Sequence, residues 1–177
     1  MQLTKPQLRK TKLSRDEYIN KPKFPIVLVL DQLASSFNIG SLIRLADSFA
    51  IEKVYICGNQ LLSDKKLNKT SRNINKWVHI EQCDNTLAVI KTLHASGYNT
   101  YAIELCNNSK NYRNITYSRK TAFVLGNETF GVSEGVLSLC HNFIHIQMHG
   151  MGNSMNVSSA GAIILADCIN KTSDATS

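Results

Sequence analysis

No apolar run in this 177-residue chain approaches the roughly 20 residues that a membrane-spanning helix requires. No membrane partner is therefore expected. The N-terminal stretch MQLTKPQLRKTKLS is basic but has no apolar centre, so it is not expected to act as a secretory signal. Cysteine is sparse and scattered, at positions 57, 83, 106, 140 and 168, with no CxxC pair. That pattern argues against a disulfide framework and a zinc site, and points to a reducing, cytoplasmic setting. No cysteine pair accompanies the five histidines in a zinc-type pattern, and no metal is expected. The chain has no GxxxxGK[ST] phosphate loop. Its nearest approach to GxGxxG is GMGNSM at 150–155, which lacks the third glycine. A nicotinamide-dependent enzyme is disfavoured on that ground.

What is present is an ordinary globular composition, 43% hydrophobic and 19% charged, in a chain long enough to bury one core. The net charge of +7 is unevenly spread: residues 1–24 hold seven Lys or Arg against Asp16 and Glu17. This basic N-terminal arm, residues 1–24, is set apart from a domain at 25–177. A basic arm is drawn to phosphate backbones, though the same charge also serves solubility alone.

From residue 26 the pattern alternates. IVLVL (26–30) is a continuous apolar run, as expected of a strand covered on both faces. Helical spacing follows at Ile39, Leu42, Ile43, Ala46 and Phe49. KVYIC (53–57) reads as a strand, 60–76 as a polar loop and WVHI (77–80) as a short strand. DNTLAVIKTLHASG (84–97) reads as a helix capped by Asp84 and stopped by Gly97. NTYAIEL (99–105) is a strand, 107–119 a loop and TAFVLG (121–126) a strand. SEGVLSLC (133–140) is a helix with a Ser cap, NFIHI (142–146) a strand with His145 facing a neighbour, and a last helix falls within 154–170. Strands alternating with helices predict an α/β domain, with a mostly parallel sheet and helices on both faces. Ligands in such folds bind beyond the carboxyl ends of strands. DQLASSFNIG, GNETFGVS and QMHGMGNSMN follow three of the strands and are rich in Gly, Asn and Ser.

NIGSLIRLAD (38–47), LGNETFGVSEGVL (125–137) and GNSMNVSSAGAIIL (152–165) occur in this order. Together they resemble the three signature motifs of the SpoU, or TrmH-like, RNA ribose 2′-O-methyltransferases of the SPOUT class, over about residues 25–170. The resemblance implies a deep C-terminal trefoil knot, a homodimer with its active site built across the interface, and S-adenosylmethionine as cofactor. It also implies an RNA substrate, tRNA or rRNA, and no DNA. Carried over, it makes Arg44, Asn38, Glu128, Ser154 and Asn156 the catalytic set. Leu125, Gly126, Asn127, Ile146, Met148, Ser154 and Met155 become the cofactor-binding set, with Gly126 bare so that no side chain blocks the ligand. A non-catalytic RNA-binding relative is the competing reading, and the retained polar residues argue against it. The chain departs from the family at Gln147, where proline is common, and at SSAG (158–161), where alanine-rich helix is common. Its 24 N-terminal residues stand where some relatives carry an extra domain.

Each of these residues also has a plainer reading. Arg44, flanked by small or polar Gly40, Ser41, Asp47 and Ser48, could form a surface pair with Asp47 worth under about 1 kcal/mol. Glu128 could be a loop carboxylate in a similar pair, and Ser154 and Asn156 could cap the last helix. Two roles for Arg44 are open: a base for the 2′-hydroxyl, or a bidentate clamp on the adjacent phosphate.

Overall fold

The computed structural model describes residues 2–10, 13–58 and 62–174. In chain order its elements are α1 (Lys5–Lys10), α2 (Arg15–Asn20), β1 (Phe24–Asp31), α3 (Ser36–Ser48), β2 (Ile51–Cys57), α4 (Asp64–Ser71) and β3 (Ile80–Cys83). There follow α5 (Thr86–Ala95), β4 (Asn99–Ile103), β5 (Lys110–Asn111), β6 (Thr121–Leu125), α6 (Glu134–Leu139), β7 (Asn142–His145) and α7 (Val157–Asp174). The seven strands form one sheet in the order β3-β2-β1-β6-β4-β7-β5, and every pairing is parallel.

β1 lies inside the sheet between β2 and β6, with Leu28 in register with Val54 on one side and Phe123 on the other. Its apolar run is continuous because both faces are covered. Ile26, Leu28 and Leu30 pack with Ile39, Leu42 and Ile43 of α3 and with Ile164, Leu165 and Cys168 of α7. Val27 and Val29 point the other way, to Val89, Ile90 and Leu93 of α5 and Val136 of α6. Each such fully buried Leu or Ile contributes about 1.5–3 kcal/mol. The helices thus lie on both faces, as the alternating pattern predicts.

Glycines set the close approaches. A Cβ on Gly161 of α7 would stand 2.8 Å from Leu42 Cδ2 and 3.3 Å from Leu125 Cδ2, so α7 packs tightly on α3 and β6. A Cβ on Gly40 would collide with the main-chain carbonyl of Thr70. Gly40 therefore lets α3 and α4 meet backbone to backbone, at a helix-propensity cost of about 1 kcal/mol.

Several local expectations are corrected. Residues 60–76 are not a loop over their described part, since they contain α4 and a 3-10 turn at Ile74–Trp77. Ser63 caps α4 by accepting the Lys66 amide. One buried apolar residue, Leu67, is too few to show a helical period in sequence. The strand expected at 77–80 begins at Ile80, and Trp77 belongs to the preceding turn. The polar run 107–119 includes β5 and a 3-10 turn at Tyr112–Asn114. Asn85, not Asp84, caps α5, accepting the Ala88 amide at 3.1 Å. Ser133 caps α6 without a side-chain bond. The last helix runs to Asp174 rather than ending by residue 170.

Candidate active site and its cavity

The segments beyond the carboxyl ends of β1, β4, β6 and β7 converge, and one carboxylate ties two of them. Glu128, in the loop after β6, accepts the main-chain amides of Ala34 at 2.9 Å and Ser35 at 3.0 Å. It also accepts the Asn38 side-chain amide at 2.8 Å. The loop after β1 and the first turn of α3 are thereby fastened to the loop after β6. Burial pushes the Glu128 carboxyl up, but the hydrogen bonds from Asn38 and from the amides of Ala34, Glu128 itself and Ser35 outweigh it. The group is held below the usual carboxylate range.

Asn38 has a second partner. Its Oδ1 accepts from Asn156 Nδ2 at 3.0 Å, which makes a chain Asn156–Asn38–Glu128 from three distant parts of the sequence. Asn156 also caps α7: its Oδ1 accepts the amides of Ser158 at 3.0 Å and Ser159 at 3.2 Å. The two readings of Asn156 are therefore compatible, since the oxygen caps the helix while the amide reaches Asn38. Ser154, just upstream, is exposed and lies in the cavity wall.

The cavity has a volume of about 710 Å³, and all seven expected cofactor-binding residues line it: Leu125, Gly126, Asn127, Ile146, Met148, Ser154 and Met155. Glu128 and Asn156 line it too, whereas Asn38 and Arg44 do not. The loop itself also requires Gly126 to be bare. A Cβ there would strike the main chain at Gly131 and Val132, where the loop folds back and pairs Asn127 with Gly131 through two 2.9 Å amide bonds. The Asn127 side chain braces this loop, donating to the Gln32 carbonyl at 2.8 Å and accepting the Thr129 amide at 2.9 Å.

Arg44 is exposed on α3, six residues or about 9 Å of helix beyond Asn38. It makes no ion pair among the described residues. The plain surface pair with Asp47 is not formed, and Asp47 instead accepts the Tyr18 hydroxyl at 2.6 Å. Within one chain, then, Asn38, Glu128 and Asn156 are brought together, Ser154 stands in the cavity wall, and Arg44 stands apart.

Two carboxylates were missed by the sequence reading. Asp31, at the end of β1 and 1% exposed, accepts the Thr86 hydroxyl at 2.7 Å and the Ser133 amide at 2.9 Å, pinning the starts of α5 and α6. Glu104, just after β4, lines the cavity and accepts the Val132 amide at 3.0 Å. The signal for both was an acidic residue directly after an apolar strand, where an ion needs fixed donors.

Comparison with known proteins gives the family of the chain. The SpoU rRNA Methylase family matches residues 25–166. The tRNA (guanosine(18)-2'-O)-methyltransferase of Aquifex aeolicus is 29% identical over 149 residues, covering 84% of this chain and 71% of that protein. The crystal structure of the A. aeolicus TrmH/SpoU tRNA modifying enzyme superposes with a TM-score of 0.81 at 26% identity, over 90% of this chain and 81% of that one. The SpoU methyltransferase AviRb from Streptomyces viridochromogenes, solved in complex with AdoMet, shares the fold at TM-score 0.76 and 21% identity, over 91% of this chain and 65% of that one. Since the family match spans most of the chain and takes in all three motifs, this protein belongs to the SpoU rRNA Methylase family.

Proposed function

We propose that this chain transfers the methyl group of S-adenosylmethionine to a ribose 2′-hydroxyl in tRNA or rRNA. The observation that carries the reading is the Asn156–Asn38–Glu128 chain, whose outer members stand in the wall of a ligand-sized cavity. The A. aeolicus relative is named for this chemistry on tRNA.

The cavity residues fit the cofactor. A volume of about 710 Å³ lies within the roughly 300–1,000 Å³ of small-molecule sites. Leu125, Ile146, Met148 and Val157 offer apolar wall for a purine, and the glycines at 126, 150 and 152 leave main-chain groups uncovered. The Glu104 carboxylate in the wall suits a ligand of positive charge. Leu125, Gly126, Asn127, Ile146, Met148, Ser154 and Met155 would hold the cofactor. Bound there, S-adenosylmethionine supplies an electrophilic methyl group on a sulfonium sulfur.

Asn38 is the fixed polar group beside this cavity. Glu128 and Asn156 set its amide orientation from both sides, so it is ready to bind ribose or phosphate without reorganising. Ser154 offers an exposed hydroxyl on the same rim. Arg44, an exposed guanidinium with no ion pair among the described residues, suits a bidentate clamp on the phosphate next to the reacting ribose. The base role stays open beside it.

The reading includes a homodimer in which Arg44 serves the cavity of the partner. Its support is that Arg44 does not line the cavity of its own chain, together with exposed Phe37 (70%), Phe130 (87%) and Met151 (100%) on segments near the site. It also includes a C-terminal trefoil knot, in keeping with the family. The insertion of β7 between β4 and β5 and the shared cavity of the loops after β6 and β7 accord with it. A cytoplasmic location and the division into an arm at 1–24 and a domain at 25–177 complete the reading.

The test is direct. Calorimetry with S-adenosylmethionine should give one site per chain. Unmodified tRNA and rRNA incubated with methyl-labelled cofactor should yield a 2′-O-methyl nucleoside after nuclease digestion. Mapping ribose methylations lost from total RNA when the gene is deleted should identify the target. Cofactor binding with no labelled ribose in either RNA, and no methylation lost on deletion, would leave only a binding protein.

A further inference from the structure

The segment that the sequence presented as loop holds a dense patch of one sign. From Asp64 to Lys76 the chain carries Lys65, Lys66, Lys69, Arg72 and Lys76 against one acid, Asp64. All five cations are exposed, and none joins an ion pair among the described residues. On α4, Lys65 and Lys69 share the face opposite buried Leu67 and Ser71. Arg72 follows at the C-cap in the left-handed region (φ 56°, ψ 44°), with Asn73 also left-handed at φ 62°. Like charges at spacing four work against a short helix, so this arrangement does not arise from helix stability.

The ridge is also firmly mounted, as a merely solvated charge run need not be. Thr70 abuts Gly40 main chain to main chain, and Gly40 lies between Asn38 and Arg44 on α3. Ser71, fully buried, donates to the Leu67 carbonyl at 2.7 Å and accepts the Asn75 amide at 3.3 Å, which fixes the turn carrying Arg72 and Lys76. Trp77 meets the Tyr18 ring edge-on with centroids 5.8 Å apart, while the Tyr18 hydroxyl holds Asp47, three residues beyond Arg44. The cations of α4 and its turn are thus fixed to the same helix that carries Arg44.

We propose that Lys65, Lys69, Arg72 and Lys76 form a phosphate-binding track for the sugar–phosphate backbone of the substrate RNA, beside the nucleotide to be methylated. The proposal rests on the reading of the chain as an RNA methyltransferase. The occupant is a polyanion because the ridge presents cations in succession with no acid between them. It is read without regard to sequence, because lysines contact phosphate as point charges. The track positions RNA and does not touch the reacting atoms, so it acts on KM for RNA rather than on kcat.

The test compares wild type with K65Q/K69Q/R72Q/K76Q, using unmodified transcribed tRNA as probe from 50 to 200 mM salt. Loss of four phosphate contacts should flatten the log–log salt slope by roughly 3 and raise KM for RNA by about tenfold or more. The kcat at saturating RNA and the S-adenosylmethionine affinity should hold. The charge-keeping K65R/K69R/R72K/K76R should restore slope and KM. If the fourfold variant fails to fold, K65Q/K69Q and R72Q/K76Q should each give about half the flattening. An unchanged slope in the Gln variants, or a charge-keeping variant as weak as they are, overturns the track. A wild type that binds S-adenosylmethionine and tRNA and transfers methyl keeps the parent reading intact in that case. A wild type that does none of these removes the parent reading, and the track with it.

Discussion

The Asn38 side-chain amide donates to Glu128 Oε1 at 2.8 Å across 90 residues of sequence. With the amides of Ala34 and Ser35 on the same carboxylate, this contact fixes where α3 begins relative to the loop after β6. Glu128→Gln keeps the size but loses the charge and puts a donor where an acceptor is needed. Methyl transfer should fall about 100-fold through misplacement of Asn38, with a smaller change in cofactor affinity. Unaltered kcat would show that the contact only holds the loops.

The same carboxylate carries a pH signature. Its folded pKa is lowered, so the stabilisation it gives is present above the ordinary Glu value of about 4.3 and is lost as pH falls through the folded value. Amide exchange at Ala34 and Ser35 should therefore stay slow, relative to intrinsic rates, down to that acid range and then quicken. Protection unaffected by protonation of Glu128 would remove the carboxylate as the fastener.

Gly126→Ala is expected to weaken S-adenosylmethionine binding although the new methyl group need not touch the ligand. The collision is with the main chain of Gly131 and Val132, which cannot rotate away as a side chain can. Overpacking of this kind costs about 1–3 kcal/mol, and here it is relieved by opening the loop that forms one cavity wall. Calorimetry should read a loss of affinity of about fivefold or more, since 1.4 kcal/mol corresponds to a decade. Full affinity with a lowered Tm would place the strain elsewhere.

The strands were the legible part of the chain. IVLVL, VYIC and AFVL are apolar runs covered on both faces, and burial of that kind leaves an unbroken apolar signature. α4 left none, because a two-turn helix lying on α3 needs only Leu67 and Ser71 inside. The motif residues Asn38, Glu128 and Asn156 could be picked out along the chain. Their joining could not, since a hydrogen bond spanning 118 residues, as between Asn156 and Asn38, depends on sheet order. Asp31 and Glu104 were hidden for the same reason: their partners Ser133 and Val132 sit 102 and 28 residues away.

A second pH effect lies at the opposite end of the sheet. Buried Thr100 places its hydroxyl 3.0 Å from His94 Nε2 and 3.1 Å from His141 Nδ1, and the two rings lie tilted at 37° with centroids 4.1 Å apart. The Thr100 amide donates to His141 Nδ1 at 3.2 Å, so that nitrogen is an acceptor. Burial, and then His141, push His94 below the usual histidine value. A base with a lowered folded pKa binds protons more readily unfolded. Stability is therefore full above the unfolded value of about 6.5 and declines as pH falls below it toward the folded one. Tm should drop as pH falls below about 6.5, and His94→Gln should flatten that part of the profile. An equal drop in the variant would assign the acid sensitivity to other groups.

Arg44→Ala should abolish methyl transfer while leaving S-adenosylmethionine affinity near that of wild type, because Arg44 does not line the cavity of its own chain. Stability should change little, since the exposed guanidinium makes no ion pair among the described residues. Arg44→Lys tests the manner of action. A bidentate clamp needs the planar fork and would not be restored by a point charge. If the residue acts across a dimer interface, mixing Arg44→Ala with Glu128→Ala chains should recover part of the activity, since one cavity in the mixed dimer then has both groups intact. Recovery absent from verified mixed dimers would confine Arg44 to its own subunit, and full activity in Arg44→Ala would remove it from the reaction altogether.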